Sequence, residues 1–125
     1  DIQTSVNELA RHGKVGVVGY CFGGLLTWLS VCKVSGIAAG SAYYGGGTVN
    51  HVSEEAKCPV IMHFGEKDAH IPMNEVEKIK SSLPEVEVYV YDADHGFNCD
   101  HRASYDKASA QTARQRTIKF LEANL

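Results

Sequence analysis

The chain has 125 residues and a formal charge of -3 with no basic stripe, so it offers nothing to track a phosphate backbone and no nucleic-acid partner is expected. Its 44% hydrophobic content is enough for one core and sets a single domain over 1–125, yet no apolar run approaches the roughly 18 residues of a membrane helix. Four cysteines without a C-x-x-C pair or framework spacing argue against a disulfide scaffold and make reduced thiols in the cytoplasm the expectation. No secretory signal is visible, and a chain that starts Asp1-Ile2-Gln3 without methionine leaves its targeting open.

Ile2, Val6 and Leu9 recur at helical spacing, and Arg11-His12-Gly13 supplies a basic last turn and a glycine stop. Val15 to Val18 reads as a strand. Leu25 to Cys32 is apolar nearly all round, as in a helix buried against a sheet. Ile37 to Ala42 is a second short strand, followed by a loop at Tyr43-Tyr44-Gly45-Gly46-Gly47 and one helical turn near Val52 to Lys57. Pro59 opens a third strand, Asn74 to Leu83 is a polar helix with Val76, Ile79 and Leu83 inward, and Val86 to Tyr91 is the fourth strand. The last helix runs from about Ala103 to Ala123 with Ala113, Phe120 and Leu121 on its inner face. Strands alternating with helices predict an α/β fold: about four parallel strands with helices on both sides, joined by crossovers.

Three loops carry the chemistry. Gly19-Tyr20-Cys21-Phe22-Gly23-Gly24 follows the first strand and leads into a helix, the pattern of a nucleophile elbow with cysteine in the serine position. Glycines two before and two after the cysteine are expected to clear the space where strand and helix nearly touch. Asp68 follows the third strand and His95 the fourth, giving nucleophile, acid and base in the chain order of that pattern. Ligands of parallel sheets bind beyond the carboxyl ends of the strands, so Cys21, Asp68 and His95 are expected on one rim. The thiolate is the nucleophile, and a histidine that takes its proton plus the start of the following helix would favour it. Phe22 would supply an oxyanion N–H, and Tyr43, Tyr44 and Phe97 are candidate substrate contacts, although aromatics at a strand end more often pack and Phe97 is as apt to pack as to touch substrate.

Each of these residues has a plainer reading. Cys21 could be a small buried hydrophobe, as Cys32 and Cys58 are expected to be, and His95 a surface histidine. Asp68 could be an ordinary loop carboxylate, with Asp94 the competing acid. His51, His63, His70 and His101 with Cys99 lack the close spacing of a zinc site, so no metal is expected. The glycines do not spell G-x-G-x-x-G and no acid follows about 20 residues on, so no dinucleotide cofactor is expected.

With Gly-Tyr-Cys-Phe-Gly-Gly, Gly-Glu-Lys-Asp-Ala-His-Ile-Pro and Asp-His-Gly-Phe in this order, the chain resembles the dienelactone hydrolase family of α/β-hydrolases over nearly its whole length. The resemblance implies Cys21 as nucleophile, His95 as base, Asp68 as acid, and a small ester or lactone as substrate. It also implies that the chain matches only the C-terminal portion of a family member, a partial α/β-hydrolase lacking the N-terminal strands that carry a second oxyanion donor, a glutamate near the thiol and an arginine. The family's other carboxylate-binding arginine lies a few residues past the histidine, and Arg102 is slightly too far on to match it. A four-stranded sheet without its neighbours would expose an edge. Association as a homodimer or with a complementary N-terminal fragment is therefore expected, and a catalytically impaired assembly piece is the alternative function.

Overall fold

A computed structural model describes residues 1–125, all of them in one α/β unit. The elements in chain order are α1 (Ile2–Leu9), β1 (Val15–Tyr20), α2 (Phe22–Lys33), β2 (Ile37–Tyr43), a 3-10 turn (Thr48–His51), β3 (Val60–Gly65), α3 (Met73–Ser82), β4 (Glu87–Tyr91) and α4 (Lys107–Asn124). The four strands form one parallel sheet in the order β1-β2-β3-β4. No helix is long and apolar enough to cross a membrane.

Strand periodicity sends neighbouring side chains to opposite faces, and that sorts the helices into layers. Gly19 and Gly40 face Thr27 and Val31 of α2. Gly16 faces Leu121 of α4, and Ser41 and Tyr43 reach Thr117 of the same helix. α2 and α4 therefore cover opposite faces. β2 and β3 are buried almost throughout, as parallel central strands should be, with Val60 through Gly65 entirely inside.

The face under α4 is polar. His63 of β3 has no exposed surface; its Nδ1 lies 2.9 Å from the Tyr91 hydroxyl and its Nε2 3.1 Å from the Thr117 hydroxyl. Thr117 also meets Ser41 at 2.9 Å and Tyr43 at 2.8 Å, while Arg116 donates to Tyr91 and lies 4.2 Å from the centre of the Tyr89 ring. No buried side-chain polar atom is left without a partner. Burial above all, with the Arg116 charge second, pushes the His63 pKa down to about 3, so the ring is neutral in the folded protein.

Local structure departs from expectation at three places. The single helical turn falls at Thr48–His51, earlier than Val52–Lys57, because Gly47 at φ 85 starts it and the Thr48 hydroxyl donates back to the Gly45 carbonyl at 2.9 Å. α1 ends before Arg11 and His12, so those bases lie beyond its last turn. α4 starts at Lys107 instead of Ala103, because the Asp106 carboxylate accepts from the Ser109 N–H at 3.0 Å and fixes the start there. Ala113 is buried at its centre as expected, but Phe120 and Leu121 are only half-buried and Thr117 takes the inward position.

β1 is an edge strand with β2 as its sole neighbour. Around it Val18, Tyr20 and Phe22 are exposed, Phe22 to 69%.

Candidate active site

Cys21 lies between β1 and α2 with φ 55 and ψ -121, a conformation costly for a residue with a side chain. Two close approaches hold it there. A Cβ on Gly19 would overlap the backbone of Gly23, and one on Gly24 would overlap the Tyr43 carbonyl oxygen. The glycine two after the cysteine, Gly23, has open space around it, so the crowding falls on Gly24 and not where it was expected. The Cys21 N–H donates to the Tyr43 carbonyl at 3.1 Å and its carbonyl accepts from Gly24 at 2.9 Å, so both sides of the turn are tied down. The Phe22 N–H, first in α2, has no partner within the helix and is available at its positive end.

Asp68 and His95 meet across the carboxyl ends of β3 and β4. The Asp68 side chain is fully buried; one oxygen lies 2.6 Å from His95 Nδ1 and the other accepts from the backbone N–H groups of His70 (2.8 Å) and Ile71 (3.2 Å). Three donors leave that carboxylate little freedom. The ring it holds is 17% exposed, its Nε2 edge unpaired. Asp94, the competing acid, caps the backbone N–H of His95 at 2.6 Å and is itself exposed, so it shapes the loop without touching the ring.

Cys21 makes no hydrogen bond to His95. Its polar contact is Arg102, whose Nη1 lies 3.8 Å from Sγ. A cleft of about 420 Å³ opens beside the thiol, lined by Tyr20, Cys21, Tyr44, Asn98, Cys99 and Arg102 among others. A second notch of about 350 Å³ is lined by His70, Asp94, His95 and Arg102. Arg102 is the wall common to both, and on the inner side the Tyr44 ring stands 5.2 Å from that of His95.

Arg102 is the residue that sequence spacing missed. It lies seven positions after His95, but the loop between them turns back on itself through three bonds: Cys99 N–H to the Gly96 carbonyl, Arg102 N–H to the Cys99 carbonyl and Asp106 N–H to the Phe97 carbonyl. The guanidinium then lies across Gly96, at φ 77, where a Cβ would come within 2.5 Å of Nη1. The glycine directly after the histidine was the available signal.

Tyr43 and Phe97, expected to touch substrate, do not line either opening. Tyr43 is 1% exposed because it ends β2 pointing toward α4, with its hydroxyl on Thr117. Phe97 is wholly buried against Tyr43, Tyr44 and Tyr91. Tyr44, equally buried at 1% exposed, forms an inner wall of the cleft instead, because its positive φ of 37 turns it out of the strand alternation. Burial, then the nearby Cys21 sulfur, pushes its phenol well above the usual range, so it remains a neutral hydroxyl. No cluster of three or more histidine, cysteine or acidic side chains is arranged to hold a metal ion.

The profile of the dienelactone hydrolase family matches residues 1–125. The chain belongs to the dienelactone hydrolase family. It is 31% identical to the carboxymethylenebutenolidase of Pseudomonas putida over 138 aligned positions, which cover 97% of this chain and 58% of the relative. Against a provisionally named carboxymethylenebutenolidase of Escherichia coli K12 the identity is also 31%, with 98% of this chain and 52% of the relative covered. A crystal structure from Klebsiella pneumoniae, provisionally assigned as a dienelactone hydrolase, superposes with a TM-score of 0.88 at 33% identity, covering 96% of this chain and 58% of that one. The chain thus spans about half the length of the relatives it matches. The fold is that of these dienelactone hydrolase neighbours, present over their matched portion.

Proposed function

We propose that this chain carries the nucleophile, base and acid of a cysteine-dependent hydrolase acting on small carboxylic esters or lactones. One observation supports this above the rest: a cysteine held at φ 55 at the head of a helix shares its rim with a histidine bonded at 2.6 Å to a fully buried aspartate. An ordinary buried cysteine needs neither the strained backbone nor the oriented imidazole.

In this reading the thiol turns from Arg102 toward His95 Nε2 and gives up its proton. The sulfur attacks the ester carbonyl, the Phe22 N–H donates to the developing oxyanion, and the tetrahedral centre collapses as His95 protonates the leaving alkoxide. A thioester remains. Water activated by His95 then attacks it, the C–S bond breaks, and the acid and free thiol are released. Asp68 keeps the imidazole in one tautomer and stabilises its protonated form in both halves. Arg102, a cation 3.8 Å from the sulfur, faces the negative charge that gathers there during attack and suits an acyl group bearing a carboxylate. That preference fits the name of the Pseudomonas putida relative.

Alkylation decides the first part. Iodoacetamide at neutral pH should label Cys21 well before Cys32, Cys58 or Cys99, and Cys21→Ala should abolish turnover of an activated ester. Equal labelling of all four thiols would end this reading.

The exposed edge of β1, with Val18, Tyr20 and Phe22 around it, favours a second reading: an association piece whose activity is impaired when it stands alone. Sedimentation showing a folded homodimer, or capture of an added complementary N-terminal fragment, with no esterase activity before that addition, would support it. A dilute, stable monomer that turns over ester would refute it.

A further inference from the structure

Two thiols, not one, face the cleft. Cys99 lines it together with Cys21, and both are partly exposed. Cys99 sits in the turn that carries Arg102 back to the Cys21 sulfur: its N–H bonds Gly96 and its carbonyl accepts from Arg102, whose guanidinium reaches Sγ at 3.8 Å. A disulfide needs the two Cα atoms within roughly 7 Å, so the linkage requires the turn of residues 97–106, which belongs to no helix or strand, to close on Cys21.

The other two cysteines make the contrast. Cys32 is buried in α2, and burial, then the Glu54 charge and the neighbouring Cys58, pushes its thiol up to about 11. Burial raises Cys58 as well. Those two stay protonated and poorly reactive, although they are close to one another.

We propose that Cys21 is a site of reversible oxidation and that Cys99 is its resolving thiol. The proposal rests on the hydrolase reading, since it requires Cys21 to be a reactive thiolate. A hydroperoxide is the oxidant: the Cys21 thiolate attacks one peroxide oxygen, the O–O bond breaks, and sulfenic acid forms while the departing oxygen takes a proton and leaves as water or alcohol. The Cys99 thiol then attacks the sulfenic sulfur, the S–O bond breaks, the departing hydroxyl takes the thiol proton and leaves as water, and the Cys21–Cys99 disulfide closes. Two equivalents of a small thiol restore both side chains and leave as their own disulfide. The linkage blocks the nucleophile and shields it from irreversible conversion to sulfinic acid.

The test uses the full chain treated with hydrogen peroxide and read by intact mass and peptide mapping. The parent should lose two hydrogens, show a Cys21–Cys99 linked peptide, and regain iodoacetamide labelling at Cys21 after dithiothreitol. Cys99→Ser should instead give sulfenic acid at Cys21, trapped by dimedone, and then sulfinic acid, so that recovery by dithiothreitol falls by about tenfold or more. Cys32→Ser with Cys58→Ser should behave as the parent. Sulfinic acid forming at Cys21 equally fast with and without Cys99, or a Cys32–Cys58 link in place of the expected one, would overturn the assignment. If Cys21 labels with iodoacetamide but never links to Cys99, this inference alone fails; if it resists both reagents, the hydrolase reading fails with it.

Discussion

The Arg102 guanidinium lies across Gly96 and ends 3.8 Å from the Cys21 sulfur, which makes a residue near the far end of the loop after the histidine part of the nucleophile's surroundings. The contact depends on the absence of a side chain at position 96 and on its φ of 77.

Gly96→Ala should therefore do two things. Urea unfolding should show a loss of about 1–2 kcal/mol from the left-handed backbone and the clash with Arg102. Iodoacetamide should also label Cys21 more slowly, because the cation is displaced from the sulfur. Arg102→Gln should reproduce the slower labelling without the loss of stability. A Gly96→Ala protein with parent reactivity would show that Arg102 does not act on the thiol.

Asp68→Asn keeps the shape of the side chain but removes the charge that faces His95 Nδ1. By analogy with the aspartate of serine-protease triads, turnover of an activated ester should fall by about a thousandfold or more. Asp94→Asn should stay within a few-fold of the parent, since Asp94 meets only the backbone N–H of His95. Steady-state kinetics on both variants checks the assignment of the acid. Comparable losses in the two would refute it.

The buried His63 gives the fold a pH dependence of known sign. Its folded pKa, about 3, lies below the unfolded value of about 6.5, so between those values the unfolded chain binds the extra proton. This contribution to stability is complete above pH 6.5 and is lost as pH falls toward 3, at about 1.4 kcal/mol per pH unit within the window. Unfolding free energies from urea titrations at pH 7.5 and 5 should differ by about 2 kcal/mol from this group. In His63→Gln the slope should be flatter by that amount, and an unchanged slope would count against a neutral buried ring.

Thr117→Val is isosteric and removes one hydroxyl that Ser41, Tyr43 and His63 share. The Tyr43 hydroxyl then has no partner in a dry setting. A loss of roughly 2–3 kcal/mol in chemical denaturation should follow, larger than for an exposed threonine such as Thr112. A change under 0.5 kcal/mol, ordinary for surface positions, would mean that water replaces the hydroxyl.

The architecture and the pairing of Asp68 with His95 were legible because each depends on local signals: apolar strands, glycines at a tight bend, and polar groups just past strand ends. What stayed hidden involves chain reversal or a strained dihedral. The distance of Arg102 from His95 along the sequence says nothing of the hooked loop that brings it back. Tyr43 and Tyr44 are adjacent aromatics, and only the φ of 37 at Tyr44 decides which one faces the cleft. Phe97 beside the catalytic candidate is open to packing or substrate contact by sequence alone, and a ring that fits between three tyrosines packs inside. The Ser41–His63–Thr117 cluster escaped notice because its members are separated by tens of residues and only the sheet register brings them together.

That cluster fixes how α4 can sit. If the helix slid along its groove by one position, Arg116 or Ile118 would replace Thr117, leaving the Tyr43 hydroxyl without a partner at a cost of about 1–3 kcal/mol and taking one partner each from Ser41 and His63. An oily seam would tolerate such slippage far better. The seat is thus keyed, and because residues 97–106 are strung between β4 and this helix, the key also sets the slack in the strap that presents Arg102 and Cys99. A polar joint on one face of the sheet governs the reach of a cation at its rim.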